Sequence, residues 1–208
     1  MKTKPFSQRG GGLSLAPPVN EPDHFGMGSG PDESWIPRCI VGDDQGQDGA
    51  CVIFSLASWS EIITGRAISN STCQQVYRQA LAALGRPLGS GMSFQDGFRL
   101  APRAWFPGRT KIVRANLDNI GEQPLLGGYN VTPAFDKTNA AGCLNHRAAG
   151  NSRGAHAVVI VARGTLPGKT GRWVWIENSW GTRWGWKGLG VMNETLQGRL
   201  CREIWRIV

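Results

Sequence analysis

Apolar positions recur at helical spacing from Ala50 onward. Phe54, Leu56, Ala57, Trp59, Ile62 and Ile63 cover a wide face, as in a buried helix, and Gly65 is placed to stop it. A second helix is predicted from an N-cap at Ser71 or Thr72, with Val76, Tyr77, Ala80, Leu81 and Leu84 on one face and an end near Gly85 and Pro87. A third begins at about Ser93, presents Phe94, Gly97, Phe98 and Ala101, and is ended or bent by Pro102. After Gly108 the period changes. Strands are predicted over 111–115, 124–131, 155–162, 172–177, 188–192 and 199–208, the run from Ala155 being the most apolar and that from Arg172 the most clearly alternating. Helices first and strands afterwards define an α+β fold. The expected organisation is a flexible tail over 1–30, rich in Gly and Pro, then one domain over 31–208. Its helical lobe covers about 31–108 and its β-rich lobe about 109–208.

Composition narrows the function classes. A hydrophobic content of 40% over 208 residues supports a full core, and no apolar run approaches the ~20 residues that would cross a bilayer. Met1–Ser7 carries positive charge with no apolar stretch behind it, which predicts a cytoplasmic protein as synthesised, any export using a signal-independent route. The net charge of +8 is spread along the chain without a nucleic-acid module, so the surface is read as solvated and no nucleic acid is expected. Five cysteines, an odd number, cannot all pair within the chain. Reduced thiols are the simpler account, with Cys73 and Cys201 as small core residues. Cys143 and His146 have the spacing of half a metal site, but no second half is present, so no metal is assigned.

Three separated stretches bring in chemistry. Gln45-Gly46-Gln47-Asp48-Gly49-Ala50 leads straight into a helix at Cys51. A helix N-terminus favours thiolate over thiol through its partial positive charge and free N–H groups. Gly154-Ala155-His156-Ala157 supplies an imidazole, and Asn178-Ser179-Trp180-Gly181 an amide able to hold that imidazole in one orientation.

These blocks resemble the papain-like cysteine peptidases. Gln45-Gly46-x-x-Gly49-Ala50-Cys51 is similar to the family's nucleophile block, Gly154-Ala155-His156-Ala157 to its histidine block, and Asn178-Ser179-Trp180-Gly181-Thr182-x-Trp184-Gly185 to its asparagine block. The resemblance implies a helical lobe packed against an antiparallel, barrel-like β lobe, with the active site in the cleft between them. It implies Cys51 as nucleophile, His156 as base and acid, Asn178 as the residue orienting the imidazole, and Gln45 with the Cys51 N–H as the oxyanion hole. Trp180 would shield the Asn–His bond, and Gly91, Met92, Gly128, Ala155 and Ala157 would line the pocket for the residue two before the scissile bond. Asp48 stands where the family has a cysteine, so its usual disulfide is absent. The separations from Cys51 to His156 and Asn178, about 105 and 127 positions, are shorter than the ~130–150 of papain-type enzymes and imply trimmed loops, as in compact bacterial or viral relatives.

The function implied is hydrolysis of protein or peptide substrates by a monomeric thiol endopeptidase, with no cofactor. Ligation, isopeptide cleavage or another acyl transfer on the same scaffold is the alternative, as is a non-catalytic interaction module. Against the module, no triad position is substituted.

Overall fold

The computed structural model describes residues 33–40, 42–136, 138–139, 142–144, 150–166 and 168–208. The tail expected over 1–30, and His146, lie outside them.

Helix α1 spans Cys51–Thr64 and ends on Gly65 in the left-handed conformation, φ 68°. Of its 14 residues 11 are buried, so it is a central helix with little free face. Ser55 Oγ donates to the Cys51 carbonyl within the helix, and Trp59 Nε1 reaches across to donate to the Pro124 carbonyl at 2.9 Å. Helix α2, Asn70–Ala83, starts earlier than predicted. Ser69, rather than Ser71 or Thr72, is the N-cap, because its backbone is extended and its hydroxyl accepts from the Thr72 N–H. Helix α3, Phe94–Leu100, is capped by Ser93, and Pro102 lies just beyond its end.

The strands are β1 Glu33–Ser34, β2 Ile112–Arg114, β3 Leu125–Asn130, β4 Ala155–Thr165, β5 Arg172–Glu177, β6 Leu189–Asn193 and β7 Cys201–Ile207. They form one antiparallel sheet ordered β2-β7-β3-β4-β5-β6, with β1 paired to the far part of β4. The sheet is open, with β2 and β6 at its ends, so "barrel-like" overstates its closure. Two further short α-helices lie among the described residues, α4 Pro133–Asp136 and α5 Glu194–Leu200. Helix α5 was not predicted, and only its last two residues overlap the strand predicted over 199–208. Asn193 caps it through a bond from Leu196 N–H.

Alternation along β4 explains how both faces of the sheet are covered. Ala157, Val159 and Val161 face a core shared with α1, α2 and α3. Val158 and Ile160 face a second core built from Tyr129, Phe135, Trp180, Trp184 and the apolar side of α5. A strand buried on both faces reads as a continuous apolar run, as this one does. No helix among the described residues is long and apolar enough to cross a membrane.

Candidate active site

The site is assembled where the loop before α1 runs alongside the turn after β5. Gln45 N–H donates to the Ser179 carbonyl at 2.9 Å, Gly181 N–H donates to the Asp43 carbonyl at 2.8 Å, and Asp44 and Trp180 form a bridge. Residues 43–45 and 179–181 therefore pair like a short piece of antiparallel ladder. This stitching fixes the start of α1 against the end of the sheet that carries His156 and Asn178. Those two residues sit near the first position of β4 and just past the last of β5, which are neighbours because the strands are antiparallel.

Cys51 is the first residue of α1, and Ala50 offers no side-chain cap. The first-turn N–H groups, normally taken by a capping oxygen, are thus open to other acceptors. The sulfur of Cys51 receives the backbone N–H groups of Ala157, Val52 and itself. Ala157 directly follows His156, and Cys51 and His156 line the same cleft. His156 Nε2 lies 2.7 Å from Asn178 Oδ1. An amide oxygen only accepts, so Nε2 carries the hydrogen and Nδ1 is left as the acceptor in the neutral ring. The Trp180 ring lies against the imidazole with centroids 4.7 Å apart, and Phe135 meets it edge-on.

Burial acts on both partners. It pushes the Cys51 thiol up, opposed by the three backbone N–H groups. It pushes His156 down to about 4, opposed by the hydrogen bond to Asn178. Loss of water thus favours the neutral pair, and mutual attraction and the helix N-terminus must offset that cost for charge to separate. The sequence alone suggested only the stabilising half of this balance.

Gln45 is buried and held at both ends. Its Oε1 accepts from Ser179 Oγ at 2.7 Å, and one N–H of its amide donates to the Asp48 carbonyl at 2.8 Å. Gly49 permits the loop to touch the opposite rim: a Cβ there would fall 2.7 Å from the carbonyl oxygens of Gly89 and Ser90. That rim is fixed by Tyr77, whose hydroxyl donates to the Ser90 carbonyl and accepts from the Gly89 N–H.

The cleft has a volume of about 320 Å³. Cys51, His156 and the five expected pocket residues Gly91, Met92, Gly128, Ala155 and Ala157 line it. Trp180 does not; it covers His156 from the side. Gln45, buried in the loop before Cys51, does not line it either. Four lining residues were not anticipated: Val52, Phe94, Arg86 and Glu203. In sequence Val52 adjoins Cys51 and Phe94 lies two residues after Met92, both expected site positions. Arg86 and Glu203 carry no local signal, since only the pairing of β7 with β3 brings Glu203 opposite Gly128.

All five cysteines are free. Cys73 is buried in the first core, as expected, and Cys201 is only partly buried. Among the described residues no cluster of three or more His, Cys, Asp or Glu is arranged to hold a metal.

A central buried helix carrying a thiol at its tip, set against an antiparallel sheet carrying imidazole and amide, is the architecture of the papain-like proteins. Residues 112–202, which include His156 and Asn178 but not Cys51, match the model of the papain family cysteine proteases. Over that stretch the chain matches the family's sequence pattern, and the fold as a whole is papain-like. Among solved structures it resembles xylellain, a cysteine protease from Xylella fastidiosa, at 19% identity and a TM-score of 0.62, covering 85% of this chain and 89% of that one. It also resembles recombinant stem bromelain precursor at 17% identity and a TM-score of 0.60, covering 84% and 69%. Digestive procathepsin L 3 of Tenebrio molitor larval midgut follows at 15% identity and a TM-score of 0.58, covering 98% and 77%. These likenesses concern the fold. No curated protein sequence matches the chain.

Proposed function

We propose that the protein is a thiol endopeptidase working through Cys51, His156 and Asn178. The observation that carries this reading is the 2.7 Å contact of His156 Nε2 with Asn178 Oδ1, which leaves Nδ1 as the acceptor of a ring lining the same cleft as Cys51. Cys51 passes its proton to His156 Nδ1, and the thiolate attacks the carbonyl carbon of a peptide bond. The oxyanion is held by the Cys51 N–H and by the second N–H of the Gln45 amide, the first being engaged with Asp48. Each such donor is worth about 3 kcal/mol in comparable sites. His156 returns the proton to the leaving amine, whose C–N bond breaks to leave a thioester. Water, deprotonated by the same imidazole, then releases the acid and the free thiol. Every proton is accounted for by Cys51, His156 and water.

Alkylation with iodoacetamide at about pH 6 tests the site. Burial pushes all five thiols up, and Cys51 is expected to react first because it alone sits at a helix start, where backbone N–H groups oppose that rise. Equal labelling of all five thiols would remove the enzyme reading. Cys51→Ala is expected to keep the fold and lose turnover of a peptide library. Near-wild-type turnover would point to another nucleophile, and products joined to an added amine would point to ligation.

A further inference from the structure

Helix α2 grips the loop before Cys51. Three polar functions of Gln45 are already placed: its backbone N–H goes to the Ser179 carbonyl, its Oε1 accepts from Ser179 Oγ, and one N–H of its amide goes to the Asp48 carbonyl. The backbone carbonyl accepts from Gln74 Nε2 at 2.8 Å, and this bond comes from α2 rather than from the turn after β5. The peptide unit between Gln45 and Gly46 is thereby held at both ends, its carbonyl by Gln74 and its N–H by Asp44 Oδ1 at 2.9 Å. Gly46 has φ 65°, and nothing lies within 4 Å of where its Cβ would stand, so hydrogen bonds rather than packing fix this unit.

Gln74 does not act alone. Asn70, one turn earlier, accepts from the Asp44 N–H at 3.3 Å, and Tyr77, one turn later, holds the rim at Gly89 and Ser90. Residues three and four apart share a helix face, so one face of α2 carries all three contacts. Stability does not explain an amide at position 74. Its Oε1 is buried and meets no donor among the described residues, a cost that an apolar side chain of the same length would avoid. What the amide adds is a donor directed at Gln45.

Building on the endopeptidase reading, in which Gln45 supplies part of the oxyanion hole, we propose that Gln74 is a positioning residue for that hole. It fixes the backbone from which the Gln45 side chain projects, so that the free N–H of the amide is aimed before substrate arrives. Gln74 does not line the cleft and acts through Gln45.

Gln74→Met in the full chain tests this, since it keeps the length and removes both the donor and the unpartnered acceptor. Tm is expected to stay within about 3 °C of wild type, because those two losses oppose each other. On a fluorogenic peptide kcat is expected to fall about 10-fold with KM within about 2-fold, part of the roughly 10²–10³-fold cost of losing an oxyanion donor outright. Iodoacetamide loses iodide from a tetrahedral carbon and forms no oxyanion, so alkylation of Cys51 should keep its rate. In a Gln45→Ala background Gln74→Met should cost nothing further, because a residue acting only through Gln45 has nothing left to position. A peptidyl aldehyde supplies a readout without turnover: it forms a reversible hemithioacetal with Cys51 whose oxygen lies where the oxyanion forms, and its affinity is expected to weaken about 10-fold in Gln74→Met. Unchanged kcat and aldehyde affinity, the same loss in the Gln45→Ala background, or alkylation slowed as much as turnover would overturn the proposal while leaving the peptidase intact. Aldehyde affinity that depends on Gln74 in a wild type that hydrolyses no peptide would leave the proposal standing and overturn the peptidase. Neither adduct nor hydrolysis in the wild type would overturn both.

Discussion

Ser179 and Gln45 hold each other twice: Ser179 Oγ donates to Gln45 Oε1 at 2.7 Å, and Gln45 N–H donates to the Ser179 carbonyl at 2.9 Å. Both residues are buried. The pair ties the loop leading to Cys51 to the turn carrying Asn178.

Ser179→Ala removes one of these bonds and leaves a buried amide oxygen without its donor. The expected loss is about 1–3 kcal/mol in denaturant unfolding. On peptide substrate kcat is expected to fall more than KM rises, because the Gln45 amide loses its orientation toward the oxyanion rather than toward the ground state. A change confined to KM would contradict that role.

Asn178→Ala leaves His156 Nε2 unpaired beneath Trp180. The ring is then free to choose the other tautomer, and kcat is expected to drop on the order of 10²-fold, since positioned general acid–base groups contribute about 10²–10⁴. The pH profile of kcat/KM should shift as well, because Asn178 opposes the burial that lowers the His156 pKa. With that support gone, the histidine-dependent limb moves to lower pH.

Gly49→Ala places a methyl against two backbone carbonyls at 2.7 Å. Neither oxygen belongs to a side chain that could swing away, so the rim at 89–90 must move. KM is expected to rise several-fold while Cys51 alkylation stays close to wild type. Unchanged KM would show that this rim does not touch substrate.

A pH dependence of stability follows from three buried acids behind the site. Asp43 is pushed up to about 6, Glu61 to about 7 and Glu177 to about 8, in each case chiefly by burial. Ser58 Oγ donates to Asp43, and Ile68 N–H donates to Glu61 Oε1. Both oxygens of Glu177 and Oε2 of Glu61 lack a partner among the described residues. The Cys39 thiol beside Glu177 donates to the Trp35 carbonyl, and Cys73 adds a further acidic neighbour. The folded state binds these protons more tightly than the unfolded chain. Their contribution is therefore complete below about pH 4 and is lost as pH rises toward 8. Tm is expected to be lower at pH 8.5 than at pH 5 by about 5–10 °C, given ~2–4 °C per kcal/mol for a domain of this size. Glu177→Gln should flatten the slope, and a Tm that climbs with pH would refute the account.

Sequence periodicity captured what depends on local repetition. The limits of α1 and β5 follow from a 3.6-residue apolar face and strict alternation. Cys51, His156 and Asn178 stand in motifs whose neighbours announce them. Other features are decided by distant partners. Asp43, Glu61 and Glu177 look like ordinary surface charges along the chain, yet packing of α1 and β5 buries all three. The sequence offered Ser71 or Thr72 as the cap of α2, and the extended backbone at Ser69 moves the cap to that earlier hydroxyl. Helix α5 was missed because its seven residues include only two buried leucines and a buried glutamine, too short a period to separate from the following strand. Glu203 entered the cleft through strand pairing alone.

The hydroxyl of Tyr77, anchored in α2, bonds both ways to the peptide units of Gly89 and Ser90. A bend rich in glycine would otherwise sample many shapes and would have to surrender that freedom whenever a chain was laid along it. Here the surrender has taken place during folding. An incoming strand meets a preorganised edge, and more of its contact energy remains for the bond to be broken.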